Sequence, residues 1–372
     1  MKLIIERAAL LKSLAHAQSV VERRTTIPIL SNVMLSAKGD TLSLTATDMD
    51  LAIVENVTVK AKQGGATTAP AHTLYEIVRK LPEGAEVEIS LGDDGGKLAI
   101  KSGRSRFTLS AIPTDEFPMM TGGDLPHKFS LPASEMRTLI DRSSFAISME
   151  ETRYYLNGIY FHVTESGGVP MLRAVATDGH RLARVEMARP QGASGMPGVI
   201  VPRKTVQELR RLLEDSEEEV SVGLSDTKIR FAFDDVELTS KLIDGTFPDY
   251  QRVIPEANDK IMDVNCRAFA EAVDRVSTIS TEKSRAVKVE LKEGSLRLSA
   301  TSPENGTAVE ELEVSYAGSA IEIGFNSKYL LDIARQIAGE VARFAMADAA
   351  SPTVVRDVAD ASALYVLMPM RV

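Results

Sequence analysis

The sequence predicts an α+β protein made of three copies of one domain, and two observations lead to that prediction. The segment 42–52 (LSLTATDMDLA) returns at 172–183 (LRAVATDGHRLA), and a weaker third copy, LRLSATSPENGTA, starts at Leu296. The chain has 372 residues, which is enough for two to three domains of roughly 100–150 residues, each with its own core. A repeat this long is too large for a solenoid and indicates duplicated domains.

Each copy reads as helix, strands, helix and strands. The second helix of each copy lies in a repeated segment, at Pro70 (PAHTLYEIVRKL), Pro202 (PRKTVQELRRLL) and Asn326 (NSKYLLDIARQI). The first helices are predicted by apolar residues at helical spacing, namely Leu10, Leu14, Ala17 and Val21, then Met136, Leu139 and Ile140, then Phe269, Ala272, Val273 and Val276 after a cap at Asn265. Alternating apolar patterns predict strands, among them Val87–Leu91, Phe107–Leu109, Val220–Leu224 and Ile229–Phe233.

Domain boundaries are expected where turn-forming residues interrupt these patterns. The stretch Gly122-Gly123-Asp124 and the pair Ile254-Pro255 are such interruptions. The predicted domains are therefore residues 1–124, 125–253 and 254–372.

The net charge and the distribution of charges along the sequence point to different binding partners. The chain carries 43 Lys and Arg against 52 Asp and Glu, a net charge of −9 that taken alone disfavours a nucleic-acid partner. Over the six predicted helices, however, basic residues outnumber acidic ones. If similar domains place their helices on one surface, that surface is basic, as phosphate-binding surfaces are. Because helix surfaces also carry Lys and Arg for solubility, charge alone leaves both alternatives open.

The cysteine and histidine content limits other functions. Cys266 is the single cysteine, so no internal disulfide is expected, and we expect it to be a small buried residue. The five histidines are scattered, and neither a CxxC pair nor a Gly-rich phosphate loop occurs, so no metal site and no cofactor are predicted. Since no charged and apolar leader or long apolar run occurs, we expect a soluble, cytoplasmic protein with no membrane partner.

Seven segments together resemble one family, the bacterial sliding clamp, which is the beta subunit of DNA polymerase III. They are TIPILSN (26–32), SGRSRFTLS (102–110), RYYLNG (153–158), ATDGHRLA (176–183), VIVPRK (199–204), SKLIDGTFPDY (240–250) and MPMR (368–371). The resemblance implies a non-enzymatic processivity factor for chromosomal replication. It also implies a ring-shaped, head-to-tail homodimer of six clamp domains, with the helices lining the inside and antiparallel sheets outside.

Such a ring would encircle duplex DNA and tether a polymerase to it. Twelve helices of roughly 10 Å diameter would surround an opening of about 28 Å, which admits a duplex and a layer of water. Contacts would then reach backbone phosphates rather than base edges, so binding would be independent of sequence and sensitive to salt. The implied protein partners are the catalytic subunit of the replicative polymerase, the clamp loader, translesion polymerases and repair proteins, which bind through short linear motifs.

The resemblance implies DNA contacts at Arg24, His72, Glu150, Arg153, Tyr154 and Tyr155. A cation beside two aromatic residues suits a phosphate contact together with base stacking on a single strand, and ordinary packing of both tyrosines is the alternative. Two of these positions depart from the family. His72 replaces the usual arginine and would be mostly neutral at physiological pH, while Glu150 replaces the usual glutamine and would repel phosphate.

The resemblance also implies a groove for partner peptides. Methionines that flank a proline make an adaptable apolar surface, which suits several leucine- or phenylalanine-bearing peptides. Packing of MPMR as an ordinary strand end is the alternative. The implied groove residues are Leu156, Thr177, Gly179, His180, Arg181, Leu182, Pro248, Arg252, Val253, Val366, Met368, Pro369, Met370 and Arg371.

The dimer seam is expected to join the first domain of one copy to the third domain of another. The implied residues are Arg104, Arg106 and Phe107 on one side and Thr278 and Ile279 on the other. Aromatic residues and arginines are both enriched at interfaces. Thr278 is more polar than the isoleucine usual in the family, which favours a weaker seam.

Two other classes of function stay open at this level. Asp178 and His180 could serve a hydrolase, but no nucleophilic Ser or Cys motif accompanies them, and the parallel segment has Met49 and Asp50 instead of Gly179 and His180. Because a catalytic dyad would seldom be copied in this partial form, we expect the Asp178 side chain to accept backbone hydrogen bonds in a turn. The other class is a peptide-binding scaffold that never meets DNA.

Overall fold

The structure is a computed structural model that describes residues 1–23, 25–92, 95–120, 123–280 and 285–371. The first copy contains β1 (Lys2–Glu6), α1 (Arg7–Val20), β2 (Asn32–Lys38), β3 (Thr41–Thr47), β4 (Leu51–Thr58), β5 (Lys60–Gln63), β6 (Gly65–Pro70), α2 (Ala71–Arg79), β7 (Glu86–Leu91), β8 (Lys97–Ser102) and β9 (Ser105–Ser110). The second contains β10 (His127–Pro132), α3 (Ala133–Asp141), β11 (Gly158–Ser166), β12 (Val169–Thr177), β13 (Arg181–Ala188), β14 (Val199–Pro202), α4 (Arg203–Leu212), β15 (Glu219–Leu224), β16 (Lys228–Phe233) and β17 (Val236–Lys241). The third contains β18 (Lys260–Asn265), α5 (Cys266–Ser277), β19 (Ala286–Lys292), β20 (Ser295–Ser302), β21 (Gly306–Glu313), β22 (Ile321–Asn326), α6 (Ser327–Ala334), β23 (Val341–Met346), β24 (Thr353–Asp357) and β25 (Ala363–Leu367). Short 3₁₀ helices span Pro28–Ser31, Thr114–Glu116, Ser144–Ala146, Glu151–Leu156 and Tyr250–Val253.

The predicted pair of helices is present in each copy, which confirms the repeat. In α1 the predicted apolar residues Leu10, Leu14 and Ala17 are buried. The helix ends at Val20, so Val21 lies just beyond it in an extended conformation, although its side chain is also buried. The apolar stripe therefore continues one residue past the helix.

Two helices of the third copy begin at asparagine caps. The predicted cap of α5 is confirmed, because Asn265 Oδ1 accepts a hydrogen bond from the Ala268 backbone N–H at 2.9 Å. At the start of α6, Asn326 Oδ1 accepts from the Lys328 N–H at 3.0 Å. Each side chain satisfies an N–H that has no partner inside its helix.

Four antiparallel sheets lie in two compact units. Unit one comprises Met1–Arg137, Pro190–Met196 and Lys204–Leu242, and it holds the five-stranded sheet β5-β1-β7-β8-β9 and the eight-stranded sheet β10-β15-β16-β17-β4-β3-β2-β6. Unit two comprises Thr138–Arg189, Pro197–Arg203 and Ile243–Val372, and it holds the eight-stranded sheet β14-β11-β12-β13-β25-β24-β23-β18 and the four-stranded sheet β21-β20-β19-β22.

The same strand pairing joins successive copies in both eight-stranded sheets. In unit one β17, the last strand of the second copy, pairs with β4 of the first, and Val236 lies opposite Glu55. In unit two β25, the last strand of the third copy, pairs with β13 of the second, and Ala363 lies opposite Val185. Because hydrogen-bonded ladders join the copies, the compact units divide the middle copy. The predicted boundaries near residues 124 and 253 follow the repeat and stay a prediction.

Cys266 occupies a buried position, as expected. Its Sγ donates to the Ala334 carbonyl oxygen at 3.4 Å, so the thiol connects the start of α5 to the end of α6. Burial raises the pKa of this thiol, which keeps it protonated and unreactive.

Asn265→Ala should destabilise the protein by about 1 kcal/mol, because the Ala268 N–H loses its acceptor at the start of α5. Asn265→Asp keeps a carboxylate oxygen in the same place and is the matched control. Urea unfolding measures the loss of stability, and hydrogen exchange at Ala268 locates it. An alanine variant with the unfolding midpoint of the unmodified protein would show that the cap contributes nothing.

Candidate partner-binding groove and DNA-contact loop

One face of the eight-stranded sheet in unit two carries an apolar cluster. Side chains alternate between the faces of a strand, so residues at every second position of neighbouring strands meet. Leu182 on β13 lies opposite Val366 on β25, and Val366 lies opposite Val354 on β24. The buried members of this groove cluster are Leu156, Val175, Leu182, Ile200, Phe247, Tyr250, Val354, Leu364 and Val366.

The predicted groove residues divide into buried and exposed ones. Of the predicted groove residues, Leu156, Leu182 and Val366 are buried members of the cluster. Val253 is 51% exposed and Met368 is 39% exposed, which is high for apolar side chains. Pro248, Gly179, His180 and Arg252 are also exposed. Accessible apolar side chains of this kind can contact the apolar side chains of a peptide.

Aromatic rings and a buried ion pair support the base of the groove. Tyr160 stacks on Phe247 with ring centroids 4.8 Å apart and an interplanar angle of 7°. The Tyr250 hydroxyl accepts a hydrogen bond from Arg173 Nη1 at 3.2 Å. Arg173 in turn is paired with Glu186 at 2.6 Å, and both side chains are less than one-tenth exposed. These contacts fix the two aromatic residues on either side of Pro248.

The turn that carries Gly179 and His180 is built by its own side chains. Asp178 Oδ1 accepts hydrogen bonds from the backbone N–H groups of His180 at 2.9 Å and Arg181 at 3.0 Å. Thr177 Oγ1 accepts from the Gly179 N–H at 3.1 Å. The predicted structural role of Asp178 is confirmed, since its carboxylate organises the backbone.

The first copy contains the same turn with different residues at its tip. Asp48 Oδ1 accepts from the N–H groups of Asp50 and Leu51 at 2.9 and 2.7 Å. Met49 there has φ of 78°, a left-handed conformation in which side chains are strained, and Gly179 has φ of 87° at the equivalent place. A Cβ on Gly179 would also lie 2.5 Å from Arg153 Nη1, so the end of that flexible side chain would have to move.

Arg181 is a buried connection between the turn and the third copy. It donates to Asp178 Oδ2 at 3.2 Å, to Asp332 Oδ2 at 2.6 Å and to the Phe145 carbonyl oxygen at 2.6 Å. Its guanidinium also lies over the ring of Tyr329, 4.3 Å from the centroid. With its charge neutralised and only 8% of its surface exposed, Arg181 holds the groove in shape rather than facing a ligand.

Tyr329 and Asp332 were missed by the sequence reasoning. Both lie on α6, far along the chain from the segments that indicated the groove. The His180 ring stacks on Tyr329 with centroids 6.4 Å apart. A regular helical pattern contains no signal that two of its residues face a turn of another copy.

The chain end is attached to the groove at two points. The Met368 N–H donates to the His180 carbonyl oxygen at 2.8 Å, and the Met370 N–H donates to the Gly324 carbonyl oxygen at 2.9 Å. Pro369 lies between them, partly buried, and Arg371 is exposed. The backbone of 368–370 is thus held while the Met368 side chain remains accessible.

The loop predicted to contact DNA contains a bidentate ion pair. Arg153 Nε lies 2.8 Å from Glu150 Oε2, and Arg153 Nη2 lies 2.7 Å from Glu150 Oε1. The hydrogen bond from Arg153 lowers the pKa of the Glu150 carboxyl. Glu150 therefore occupies the edge of the Arg153 guanidinium, formed by Nε and Nη2, that a phosphate would use.

The two tyrosines of this loop differ in exposure. Tyr154 is 53% exposed, whereas Tyr155 is partly buried and packs against the groove cluster. Their rings meet edge to face with centroids 5.7 Å apart. A Cβ on Gly245 would lie 3.0 Å from Tyr155 Cβ, so glycine at that position allows the loop to approach.

Of the other two residues predicted to contact DNA, the structure describes His72 but not Arg24. His72 Nδ1 lies 2.8 Å from Gln18 Oε1 and Nε2 lies 3.2 Å from the Val21 carbonyl oxygen, so both ring nitrogens are used within unit one. The ring connects the start of α2 to the end of α1. Arg24 lies outside the described residues.

The predicted seam residues lie on or next to β9 in unit one and directly after α5 in unit two. Arg106 and Phe107 belong to β9, an edge strand of the five-stranded sheet, and the exposed Arg104 immediately precedes it. Thr278 is exposed and Ile279 partly buried, directly after α5.

Neither a metal centre nor a membrane helix is found in the described ranges. Within residues 1–23, 25–92, 95–120, 123–280 and 285–371, no group of three or more His, Cys, Asp or Glu residues is placed to hold a metal ion. Over the same ranges, each helix is too short or too polar to cross a bilayer.

Family models match nearly the whole chain. The N-terminal, central and C-terminal domains of the DNA polymerase III beta subunit match residues 1–121, 130–249 and 251–371. The three successive matches follow the three copies seen in the sequence.

Relatives and solved structures agree with these matches. The beta sliding clamp of Caulobacter vibrioides is 56% identical, and that of Escherichia coli K12 is 41% identical, each with both chains fully covered. A crystal structure of the C. crescentus beta sliding clamp superposes with a TM-score of 0.98 at 56% identity, covering 100% of this chain and 99% of that one. The sliding clamp of Bartonella birtlesii bound to griselimycin gives a TM-score of 0.97 at 50% identity, with both chains fully covered. The chain therefore belongs to the family of DNA polymerase III beta subunits, the beta sliding clamps.

Proposed function

We propose that two copies of this chain close head to tail around duplex DNA and hold the replicative polymerase on its template. The chain is a non-catalytic sliding clamp, so it retains the enzyme by topology while another subunit carries out the chemistry. The observation that carries this proposal is the match of three successive clamp domains over the full length of the chain. We place the domain boundaries at residues 124 and 253 and the protein in the cytoplasm.

The strand pairing between copies supports the head-to-tail seam. The last strand of a copy pairs with the strand that follows the Asp48 or Asp178 turn in the preceding copy, as β17 does with β4 and β25 with β13. In the described part of the chain, β9 and β21 are the equivalent strands that end their sheets with one side unpaired. The same rule therefore pairs β9 of one chain with β21 of a second chain.

The repeat also supplies a register for this seam. Ser105 on β9 and Val236 on β17 are equivalent, because each is the first residue after the tight turn that precedes the last strand of its copy. Glu310 on β21 and Glu55 on β4 are also equivalent, because they hold the same place in the ladder that each strand forms with the strand before it. Because Val236 lies opposite Glu55, we expect Ser105 opposite Glu310 across the seam.

This register gives the seam complementary charges and an apolar contact. It places Phe107 opposite Ala308, and Arg104 opposite Glu311, with Arg106 two positions from Arg104 on the same face. Both arginines and Glu311 are exposed in the single chain. Cross-strand pairs of opposite charge stabilise a sheet, so the two edges suit one another. Thr278 and Ile279 complete the seam beside them.

The loop of Arg153, Tyr154 and Tyr155 is proposed to contact single-stranded DNA next to the duplex. The exposed ring of Tyr154 offers a face for base stacking, which is tolerant of sequence. Glu150 competes with phosphate for Arg153, so the arginine contributes fully only when DNA displaces that carboxylate. Arg24 is proposed as a direct phosphate contact, while His72 supports the packing of α2 against the end of α1.

The groove cluster and its rim are proposed to bind short linear motifs of the polymerase, the clamp loader, translesion polymerases and repair proteins. Leu182, Val366 and Leu156 would form the base of the pocket, and His180, Pro248, Val253 and the chain end its walls. A leucine or phenylalanine of the motif would bury its side chain against them. Thr177, Gly179 and Arg181 shape the turn, and Arg252, held by Asp249 at 2.8 Å, lies at the rim.

Topology gives the first test. The protein loaded on nicked circular DNA should remain bound through gel filtration and should dissociate once the circle is cut, because a ring slides off a free end. Equal retention on both forms would contradict encirclement.

The variant Arg24→Ala/Tyr154→Ala/Tyr155→Ala should bind DNA more weakly while remaining dimeric, with the salt slope reduced by roughly one for the lost phosphate contact. Glu150→Gln should act oppositely, because Arg153 is released and a repulsive charge is removed. Arg297→Ala, which removes an exposed arginine of β20, is the matched control. A triple variant with an unchanged salt slope would refute the proposed contacts.

Phe107→Ala combined with Ile279→Ala should give a folded monomer. Each change removes apolar area from the seam, at a cost of about 2–5 kcal/mol for a fully buried large side chain. Sedimentation at nanomolar concentration measures the mass. The control Val169→Ala/Val358→Ala trims two exposed apolar residues elsewhere, and a dimeric seam variant would place the interface elsewhere.

Deletion of Met368 to Val372 should abolish binding of a motif peptide and spare dimerisation and DNA encirclement. The chain end supplies apolar contact area that the peptide needs to offset its own ordering entropy. Fluorescence anisotropy with a labelled leucine- and phenylalanine-bearing peptide measures the affinity. An affinity within about threefold of the full-length value, or roughly 0.7 kcal/mol, would show that MPMR is only a packed strand end.

A further inference from the structure

A cavity adjoins the groove cluster in unit two. Its volume is about 500 Å³, and two of its lining residues, Val354 and Leu364, are members of the cluster. Ile254, which packs against the cluster, lines it too. A peptide that fills the groove therefore has this cavity beside it.

Three arginines line the same cavity, and the sheet register explains why they meet. Arg184 on β13 lies opposite Leu364, and Arg343 on β23 lies opposite Arg356 on β24. Arg356 is two positions after Val354, so it is on the face that carries the groove cluster. The cavity thus combines an apolar wall with arginine side chains from β13, β24 and β23, and β25 lies between the first two of these strands.

The positive charge in this cavity is only partly neutralised. Arg343 is paired with Asp263 at 2.7 Å. The side chain of Arg356 has no hydrogen bond or ion pair within the described residues. Arg184 reaches Glu186 only at 3.9 Å, whereas Arg173 already holds that carboxylate at 2.6 Å. Glu256, which is exposed, is the acidic side chain among the described lining residues.

Arg184 is poorly satisfied in this cavity, both in hydrogen bonding and in charge. Its Nε is buried without a hydrogen-bond partner among the described residues, an uncommon state for a guanidinium. Burial lowers the pKa of Arg184 from its ordinary value, and although Glu186 opposes this, the positive charges of Arg173 and Arg356 add to it. An anion entering the cavity would relieve both the missing hydrogen bond and the repulsion.

We propose that this arginine cavity binds acidic side chains that flank the apolar motif of a partner peptide. The proposal rests on the proposed function of the groove. Carboxylates match the guanidinium fork and can accept paired hydrogen bonds from it. The shared residues Val354 and Leu364 make the two sites continuous, so one peptide fills both. The groove selects the apolar residues and the cavity selects the charge beside them.

The test compares three labelled peptides with the same leucine and phenylalanine motif. One is flanked by serines, one carries two aspartates before the motif, and one carries two aspartates after it. At low salt, one of the acidic peptides should bind the full-length dimer about fivefold more tightly than the serine peptide, and the gain should shrink as salt is added.

Arg356→Glu should remove this gain while leaving the affinity for the serine peptide unchanged. Arg356 is exposed, so the variant should fold, and Arg356→Gln repeats the test without reversing the charge. Arg297→Glu makes the same change of charge on β20 and should leave the gain intact.

The possible outcomes distinguish failure of the cavity proposal from failure of the groove proposal. If all three peptides bind equally well, or if Arg356→Glu leaves the gain intact, the groove stands and the cavity proposal is wrong. If no peptide binds, the groove assignment fails and the cavity proposal fails with it. If Arg297→Glu removes the gain as well, the preference reflects the overall field of the protein, which also overturns a specific site.

Discussion

Backbone pairing between successive copies is the constraint on which the groove depends. β13 belongs to the second copy and β25 to the third, and their ladder sets Leu182 beside Val366. Because side chains alternate along both strands, a one-residue slip in this ladder would turn the base of the groove to the opposite face. The chain end follows β25 directly and reaches the turn at His180 for the same reason. A single register thus positions residues that lie far apart in the chain.

Arg181 adds a second connection, made by charge. Its guanidinium is shared between Asp178 in the turn and Asp332 on α6, and it lies over Tyr329. A buried charge that loses a partner is costly, so the turn and the helix are energetically dependent on one another. The neighbouring loop reaches the same turn, because Arg153 occupies the space that a side chain on Gly179 would need. The loop proposed to contact DNA therefore lies beside the turn that carries Gly179 and His180.

Local patterns revealed the repeat, the helices and the caps, because each depends on residues close together in the chain. The turn at Asp178 was also predictable, since its hydrogen bonds span three residues. Tyr329, Asp332, Phe247 and Tyr250 were not, because their roles arise from strand pairing between copies and from burial. Glu150 illustrates an intermediate case: an acidic residue at this position indicates repulsion of phosphate, but its bidentate pair with Arg153 depends on the conformation of the loop.

The charges on the two free edges have a consequence for the polarity of assembly. Arg104 and Arg106 accompany β9, whereas β21 carries the exposed Glu311 and Glu313. Glu310 on the same strand is already paired with Arg275 at 2.5 Å. An exposed edge strand is a template for pairing with any similar edge, including its own copy in another chain. Two β9 edges would set arginines against arginines, and two β21 edges would set glutamates against glutamates, so like edges repel. The charges therefore favour the proposed pairing of β9 with β21 over symmetric pairing of two like edges.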